Sequence, residues 1–463
     1  MSSITPTKIQ SDIKKLFGID LDSQTAETLK EVADQLAGGK KKHYALSSSE
    51  KGPGDVERIL GFKEENVAMY LRNNYVSELS GADLRTTMGL SRVDLNSVGP
   101  SHDGTTIGFA QVPIKYVGSV LVNGEYAKGR FQMAIAALEG QLSQGMTRGI
   151  ETFNMAGGVT TRVTDDGMTR DVLVGFNNIN DSINVYRFVK SAEGQAYLKE
   201  RFEEGARYTK FLEARPFVDG TSLHIRFKGT AGPAMGMNAL TQRGREATVA
   251  MIDHLVHDLH MVGENGVDLL TISGNMCTDK KPTVMNALMG RGASVVTETV
   301  LKNDLIMERF FKNNHQFKGD PDGAAARLAE VSLKKNERGT RLAGSIAANT
   351  HVANISAGIY IAYGQDPGQV VETSLARVYI EQTKDGVRII GTHPAVEVGT
   401  FKGELWGTAK EMLKMTGVYG DQDEIGKTRL AFAEVCAAVF TIGDANLTAN
   451  QAAGTHGSTL RKG

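Results

Sequence analysis

The sequence predicts an α/β chain of the α+β kind: a large domain around a buried central helix, with an inserted ferredoxin-like βαββαβ small domain. Three observations predict it. From about Thr105 the chain alternates short apolar runs with glycines, and the 52 glycines of the whole chain suit packed strands and close backbone approaches. Residues 171–273 follow a strand, helix, strand, strand, helix, strand order. The segment "LAGSIAANTHVANISAGIYIAYGQD", ending at Asp366, carries almost no charge until its end and reads as a helix buried all round.

The elements follow in chain order. Residues 1–100 form a helical N-terminal region, in which "SQTAETLKEVADQLA" has apolar positions at helical spacing and "GGKKKHYALSSSEKGPGD" reads as a flexible linker. "IGFAQVPI" and "GSVLVNGEY" then open the large domain, residues 101–170 and 274–463. In the insertion, "DVLVGF" is a strand and "SINVYRFVKSAEGQAYLKERFEEGA" an amphipathic helix. "YTKFLEARPFV" and "TSLHIRFKG" are strands meeting at Asp219-Gly220, "NALTQRGREATVAMIDHLVHDL" is a helix, and "VDLLTISG" a strand.

Composition bounds the function. At 463 residues the chain exceeds one ordinary core, and 41% apolar residues can fill two or three. The 52 Lys and Arg nearly cancel 53 Asp and Glu, so no net field draws nucleic acid or an anionic membrane. Cys277 and Cys436 are the only cysteines, which excludes a disulfide framework and a cysteine zinc site and fits a reducing, cytoplasmic setting. There is no continuous apolar run of membrane-spanning length and no secretory start, so no membrane partner is expected.

Several constellations could carry chemistry. "GTAGPAMGMNAL", residues 229–240, is a glycine-rich turn into a helix, fit for a phosphate or dinucleotide or merely for a turn. "GDQDEIGKT" puts five residues between its glycines, three of them acidic, so it is no P-loop but a loop leading into a helix. Arg148 in "MTRG" and Arg170 in "DGMTRD" suit a carboxylate or phosphate, or ordinary ion pairs. His254, His257 and His260 drift across a helix face, as surface histidines do. In "SGNMCTDKKP" an aspartate and two lysines follow an apolar run, either as a solvated turn or as a cation cluster in a cleft.

Taken together, "ALEG", "MTRG", "GGVTTRVTDDGMTR", "IRFKGTAGPAMGMN", "SGNMCTDKKP", "AGSIAANTHVANI" and "IYIAYGQD" resemble 3-hydroxy-3-methylglutaryl-CoA reductase from about Thr105 to Gly454. "ALEG" followed by "MTRG" resembles the eukaryotic and archaeal class I enzymes. The resemblance implies two hydride steps from NADPH, or NADH, that turn the acyl-CoA into mevalonate and CoA, with no metal. It implies that Lys280 stabilises the reacting oxygen, Glu139 donates a proton after burial beside Asp366 raises its pKa, Asp366 links the two, and His456 protonates the departing thiolate. Arg170, Ser273, Asp279, Lys281 and Lys335 would hold the acyl group. The small domain would bind NADP through Arg207, Met235, Gly236, Met237 and Asn238. A homodimer or higher homo-oligomer is implied, because the family forms its site across a subunit interface.

The chain also departs from the family. Pro233 replaces an aspartate, Ala206 a serine and Val370 an asparagine; Phe401, Lys402 and Glu404 interrupt a glycine run, and "GTTIG" stands for "ENVIG". Aligning "AAG" puts the family's histidine at about Leu460, four residues beyond His456. The alternative is a same-fold enzyme or binding protein that keeps the acyl-CoA pocket without hydride chemistry.

Overall fold

The longest strand of the chain organises the larger of two compact units. The computed structural model describes residues 3–41, 43–46, 52–80, 106–108, 110, 112–401, 407–420 and 425–455. The residues expected at His456, Leu460, Lys402 and Glu404 lie outside these. One unit is 1–113 with 403–410, the other 114–402 with 411–463.

The smaller unit is helical, with helices Pro6–Phe17, Ser23–Ala37, Asp55–Leu60 and Glu65–Ser80. Asp22 starts the second by accepting the Thr25 N–H at 2.6 Å, as an N-cap side chain does. Ile9, Ile13, Leu29, Leu36, Val67 and Leu71 are buried together. The stretch expected as a linker is partly structured: His43–Leu46 forms a helical turn and Leu46 joins that core. Burying that side chain contributes about 1.5–3 kcal/mol toward the cost of ordering the turn.

The larger unit holds strands β1 (Ile114–Asn123), β2 (Lys128–Ala136), β3 (Val159–Phe176), β4 (Thr209–Asp219), β5 (Ser222–Ala231), β6 (Val267–Thr271), β7 (Gly292–Lys302), β8 (Arg377–Thr383) and β9 (Gly386–Val396). The first half of β3 lies between β1, parallel, and β7, antiparallel, in the order β2-β1-β3-β7-β9-β8. Its second half pairs antiparallel with β5 and β6, and β4 flanks β5. The resulting order β4-β5-β3-β6 is the ferredoxin-like one. β3 therefore belongs to both sheets and runs through the expected 170/171 border.

Two helices, not one, connect β3 to β4: Ile179–Lys190 and Ala192–Glu203. Ser191 breaks them, extended at φ −73° and ψ 159°, and its Oγ accepts the Gly194 N–H at 3.0 Å. A side chain at Gly194 would meet the Phe188 carbonyl at 1.9 Å. These helices and Met237–Asp253 bury Val185, Leu198, Phe202, Leu240 and Ala247 against Val172, Val174, Ile225 and Phe227.

The central buried helix is not the segment ending at Asp366. There the helix spans only Val352–Ala362, because Gly344 is left-handed and Asn349 takes the Val352 N–H. Leu342 stays 91% exposed. Lys427–Ala452 is the central helix, buried along nearly its whole length. It is long and apolar enough to cross a membrane by composition, but 89% of its most apolar window is inside the fold. Its two buried acids are spent on neighbouring loops: Glu434 accepts the N–H groups of Glu125, Tyr126 and Ala127, and Asp444 those of Thr350 and His351.

Candidate functional site

The segment 272–283 leaves β6 and leads into the short helix Val284–Met289. Of the four non-glycine residues with positive φ among those described, three lie in it: Asn275 (71°), Thr278 (61°) and Lys280 (55°). Such backbone persists only when its surroundings fix it, and here they do. Asp171 accepts the Gly274 N–H through its carbonyl at 3.1 Å and the Met276 N–H through its carboxylate at 3.0 Å. Thr169 Oγ1 donates to the Cys277 carbonyl. Asn286 Nδ2 donates to the carbonyls of Thr278 and Lys281, both at 2.9 Å.

That backbone delivers Lys280 to Asp366, Nζ to Oδ2 at 2.8 Å. The Asp366 hydrogen bond holds the ammonium above its ordinary pKa. Burial pushes the Asp366 carboxyl up, but Lys280 and the Gly368 N–H together hold it below the ordinary value. A Cβ at Gly368 would meet Lys280 Cε at 2.6 Å, so the glycine opens room for the lysine stem. The result is a partly exposed, firmly protonated cation on a fixed backbone.

Beneath it lies a buried charge cluster. Arg291 meets Asp279 at 3.0 Å, Glu372 at 3.3 Å and Glu397 at 2.6 Å. The three acidic oxygens lie within 4.8 Å of one another, as a metal site would require, but the cation among them is a guanidinium. Burial raises the Glu372 carboxyl to about 7 and Glu397 well above its ordinary value, with Arg291 opposing both. Arg291 and Arg170 win over burial at Asp279, which is held low. Arg170 meets Asp279 at 3.3 Å and donates to Thr241 at 2.6 Å. Gln369 Nε2 donates to Asp279 at 3.0 Å.

The structure thus brings together Arg170, Asp279, Lys280 and Asp366. Lys281 Nζ donates back to the Asp279 carbonyl at 2.8 Å, and Ser273 stands exposed at the start of the segment. Glu139 is not with them: it is exposed at the N-terminus of the helix Gly140–Met155. It lines a separate cavity of about 400 Å³ with Arg148, His351, Asn354, Asn446 and Asn450. The burial beside Asp366 expected for it is absent within this chain. Burial and nearby Arg309 lower the pKa of Arg148, whose Nε is buried without a partner. Lys335 bonds Thr350 Oγ1 at 2.8 Å, next to His351 of that cavity's wall, and burial lowers its pKa.

Among the residues expected to hold the nucleotide, Gly236 takes φ 104° and opens the helix Met237–Asp253, whose first N–H groups no side chain caps. A Cβ there would meet that of Ala231 at 2.8 Å. Met235 is buried and Asn238 exposed. Arg207 is exposed and rests over the Tyr208 ring at 4.8 Å. An uncapped helix N-terminus is chemically suited to an anionic group. The Thr400 N–H bonds the Pro233 carbonyl at 2.9 Å, so the departed aspartate position now braces the neighbouring segment. The three histidines diverge, His254 to Asp258 and His257 toward Asp253, while His260 meets the Val256 carbonyl.

Sequence reasoning missed Arg291, Glu372, Glu397 and Gln369, and the buried Asp171, which meets His224 at 2.8 Å. The available signal was local: "VVETSLA" and "AVEVGT" each set one acid among apolar residues, the mark of a buried charge that needs a partner.

Comparison with known proteins shows the family and the fold. The family model described as hydroxymethylglutaryl-coenzyme A reductase matches residues 68–458, which begins earlier than the motifs alone indicate. The chain is similar to 3-hydroxy-3-methylglutaryl-coenzyme A reductases of Pyrococcus horikoshii, 32% identical over 92% of this chain and 95% of that one, and Methanocaldococcus jannaschii, 31% identical over 92% and 97%. Its fold resembles a class II enzyme of Streptococcus pneumoniae solved with NADPH, at TM-score 0.54 and 16% identity, covering 82% of this chain and 92% of that one.

Proposed function

Since the chain belongs to the hydroxymethylglutaryl-coenzyme A reductase family, we propose that it reduces 3-hydroxy-3-methylglutaryl-CoA to mevalonate and CoA by two hydride transfers, with NADPH as donor. The observation that carries the reading is Lys280 held by Asp366 on a fixed backbone. Such a cation stabilises an oxygen that gains charge, an effect typically worth about 3–4 kcal/mol per donor. Arg170, Ser273, Asp279 and Lys281 hold the acyl portion, with Lys335 reaching it from the side of the Glu139 cavity. The nicotinamide supplies hydride when bound; Arg207 and the turn Met235, Gly236, Met237, Asn238 hold the dinucleotide. His456 protonates the CoA thiolate, and no metal takes part.

Glu139 supplies the proton from a second copy of the chain. Its own chain keeps it in a different cavity from Lys280, and a homodimer that joins the two cavities completes the set. Arg148, which lines that cavity, suits the anionic part of the CoA. The "ALEG" and "MTRG" motifs and the archaeal relatives support a class I-like enzyme; the low cysteine content supports a reducing, cytoplasmic setting.

The test is cofactor oxidation by the purified protein with the acyl-CoA, NADPH and NADH in parallel, alongside direct binding of each ligand. Turnover with NADPH supports the reading. A second reading rests on Pro233 and Val370, the departures on the nicotinamide side: the acyl pocket is kept without hydride chemistry. Acyl-CoA binding with neither NADPH binding nor turnover would decide for it.

A further inference from the structure

We propose that Glu372 is a positioning residue for Lys280, fixing the left-handed backbone from which the lysine reaches Asp366. Lys280 sits at φ 55°, a conformation that an L side chain adopts only under constraint. Its N–H donates to Glu372 Oε1 in a short hydrogen bond. Lys280 bears a side chain 44% exposed, so packing does not hold it, whereas Glu372 is fully buried. The glutamate is anchored from below by Arg291 at 3.3 Å, which also meets Asp279, the residue before Lys280, at 3.0 Å. One guanidinium therefore ties down both the carboxylate that grips the lysine and the aspartate beside it.

The placement of Glu372 in the chain gives it a second connection. It lies in the short helix Val370–Thr373, which follows the turn Pro367–Gln369 that Asp366 starts by accepting the Gly368 N–H at 2.9 Å. The segment 366–372 thus holds Lys280 at both ends: Asp366 takes the ammonium and Glu372 the amide. Ala at 372 would leave the ammonium's partner but free the backbone, so Nζ would sample orientations away from the reacting oxygen. Misplacement of this kind lowers turnover with little effect on binding. A neutral carboxyl or amide at 372 still offers an oxygen to the N–H, so Gln should preserve the device where Ala does not.

The kinetic arm rests on the proposed reductase activity; the structural arm does not. Amide hydrogen exchange over residues 278–282 and steady-state kinetics would be measured for the wild type, E372A and E372Q. Expected for E372A is exchange faster by about tenfold or more in that segment, with β5 unchanged, and kcat down about tenfold at an acyl-CoA Kd within about threefold. E372Q should restore exchange and most of kcat. Should E372A fail to fold, E372D, one methylene too short to reach the amide, takes its place. Unchanged exchange in E372A or E372D, or loss in E372Q as large as in E372A, overturns the proposal. A wild type without turnover would sink the reductase reading alone, and the exchange result would still decide the role of Glu372.

Discussion

The two regions that hold the expected catalytic residues are built in opposite ways. Around Lys280 the charged side chains are paired within the chain: Asp366 takes its ammonium, and Arg291 meets Asp279, Glu372 and Glu397, although one oxygen each of Glu372 and Glu397 stays buried without a hydrogen-bond partner. Around Glu139 the cavity is open, the carboxylate is exposed and Arg148 keeps an unpartnered buried nitrogen. A paired network can be assembled from one chain because Arg291 offsets part of the cost of burying its acids, though at Glu372 and Glu397 burial still outweighs it. An unpaired site leaves room for a ligand or a second chain to complete it.

The hardest blow to this contrast is Lys280→Ala. With the network's working cation gone, reduction should fall by roughly a hundredfold or more while the melting temperature barely moves, because the side chain is partly exposed; near-normal turnover would remove the lysine from the mechanism. Glu139→Gln should follow, with aldehyde reduction slowed more than thioester reduction. Mixing K280A with E139Q then asks whether the halves meet across chains: subunit exchange should recover roughly a quarter of wild-type activity if they do, and none if both come from one chain.

The buried cluster makes a third, pH-dependent prediction. The Glu372 carboxyl is raised from 4.5 to about 7 in the folded protein. Between those values the unfolded chain has lost its proton and the folded chain keeps it, so the contribution is complete below about 4.5 and disappears as pH rises through about 7. Glu372→Gln cannot ionise. Denaturant melts at pH 5 and pH 8 should therefore show the wild type losing stability relative to the variant, by up to about 3 kcal/mol; a constant gap would mean the glutamate is charged throughout. The smallest effect is expected from Gly368→Ala. Its methyl group pushes on the Lys280 stem, and kcat should drop only a few fold, because the flexible end of a lysine can give way; no change would show that the room at Gly368 is unused.

Much of this was legible in the sequence, and for identifiable reasons. The order of strands and helices in 171–273 could be read because period-two and period-3.6 patterns are local. The break at Ser191 could not, since it follows from Gly194 lying against the Phe188 carbonyl. The segment 342–366 reads as a helix buried all round because it carries almost no charge, whereas Lys427–Ala452 carries Glu434, Thr441 and Asp444, which look like surface residues until their partners on loops and strands are known. Arg170, Asp279, Lys280 and Asp366 were found because their motifs are contiguous. Arg291, Glu372 and Glu397 come from three separate segments, so only folding makes them one group.

By itself, then, the sequence determined the α/β class, the family and the identity of the cation and its aspartate, since each is carried by neighbours along the chain. The tertiary structure alone decided that β3 serves two sheets, that Arg291 fills what three carboxylates would otherwise offer to a metal, and that Glu139 stands apart from Lys280. These depend on distances between residues far apart in sequence, and burial and Coulomb energies are functions of that distance, not of position along the chain.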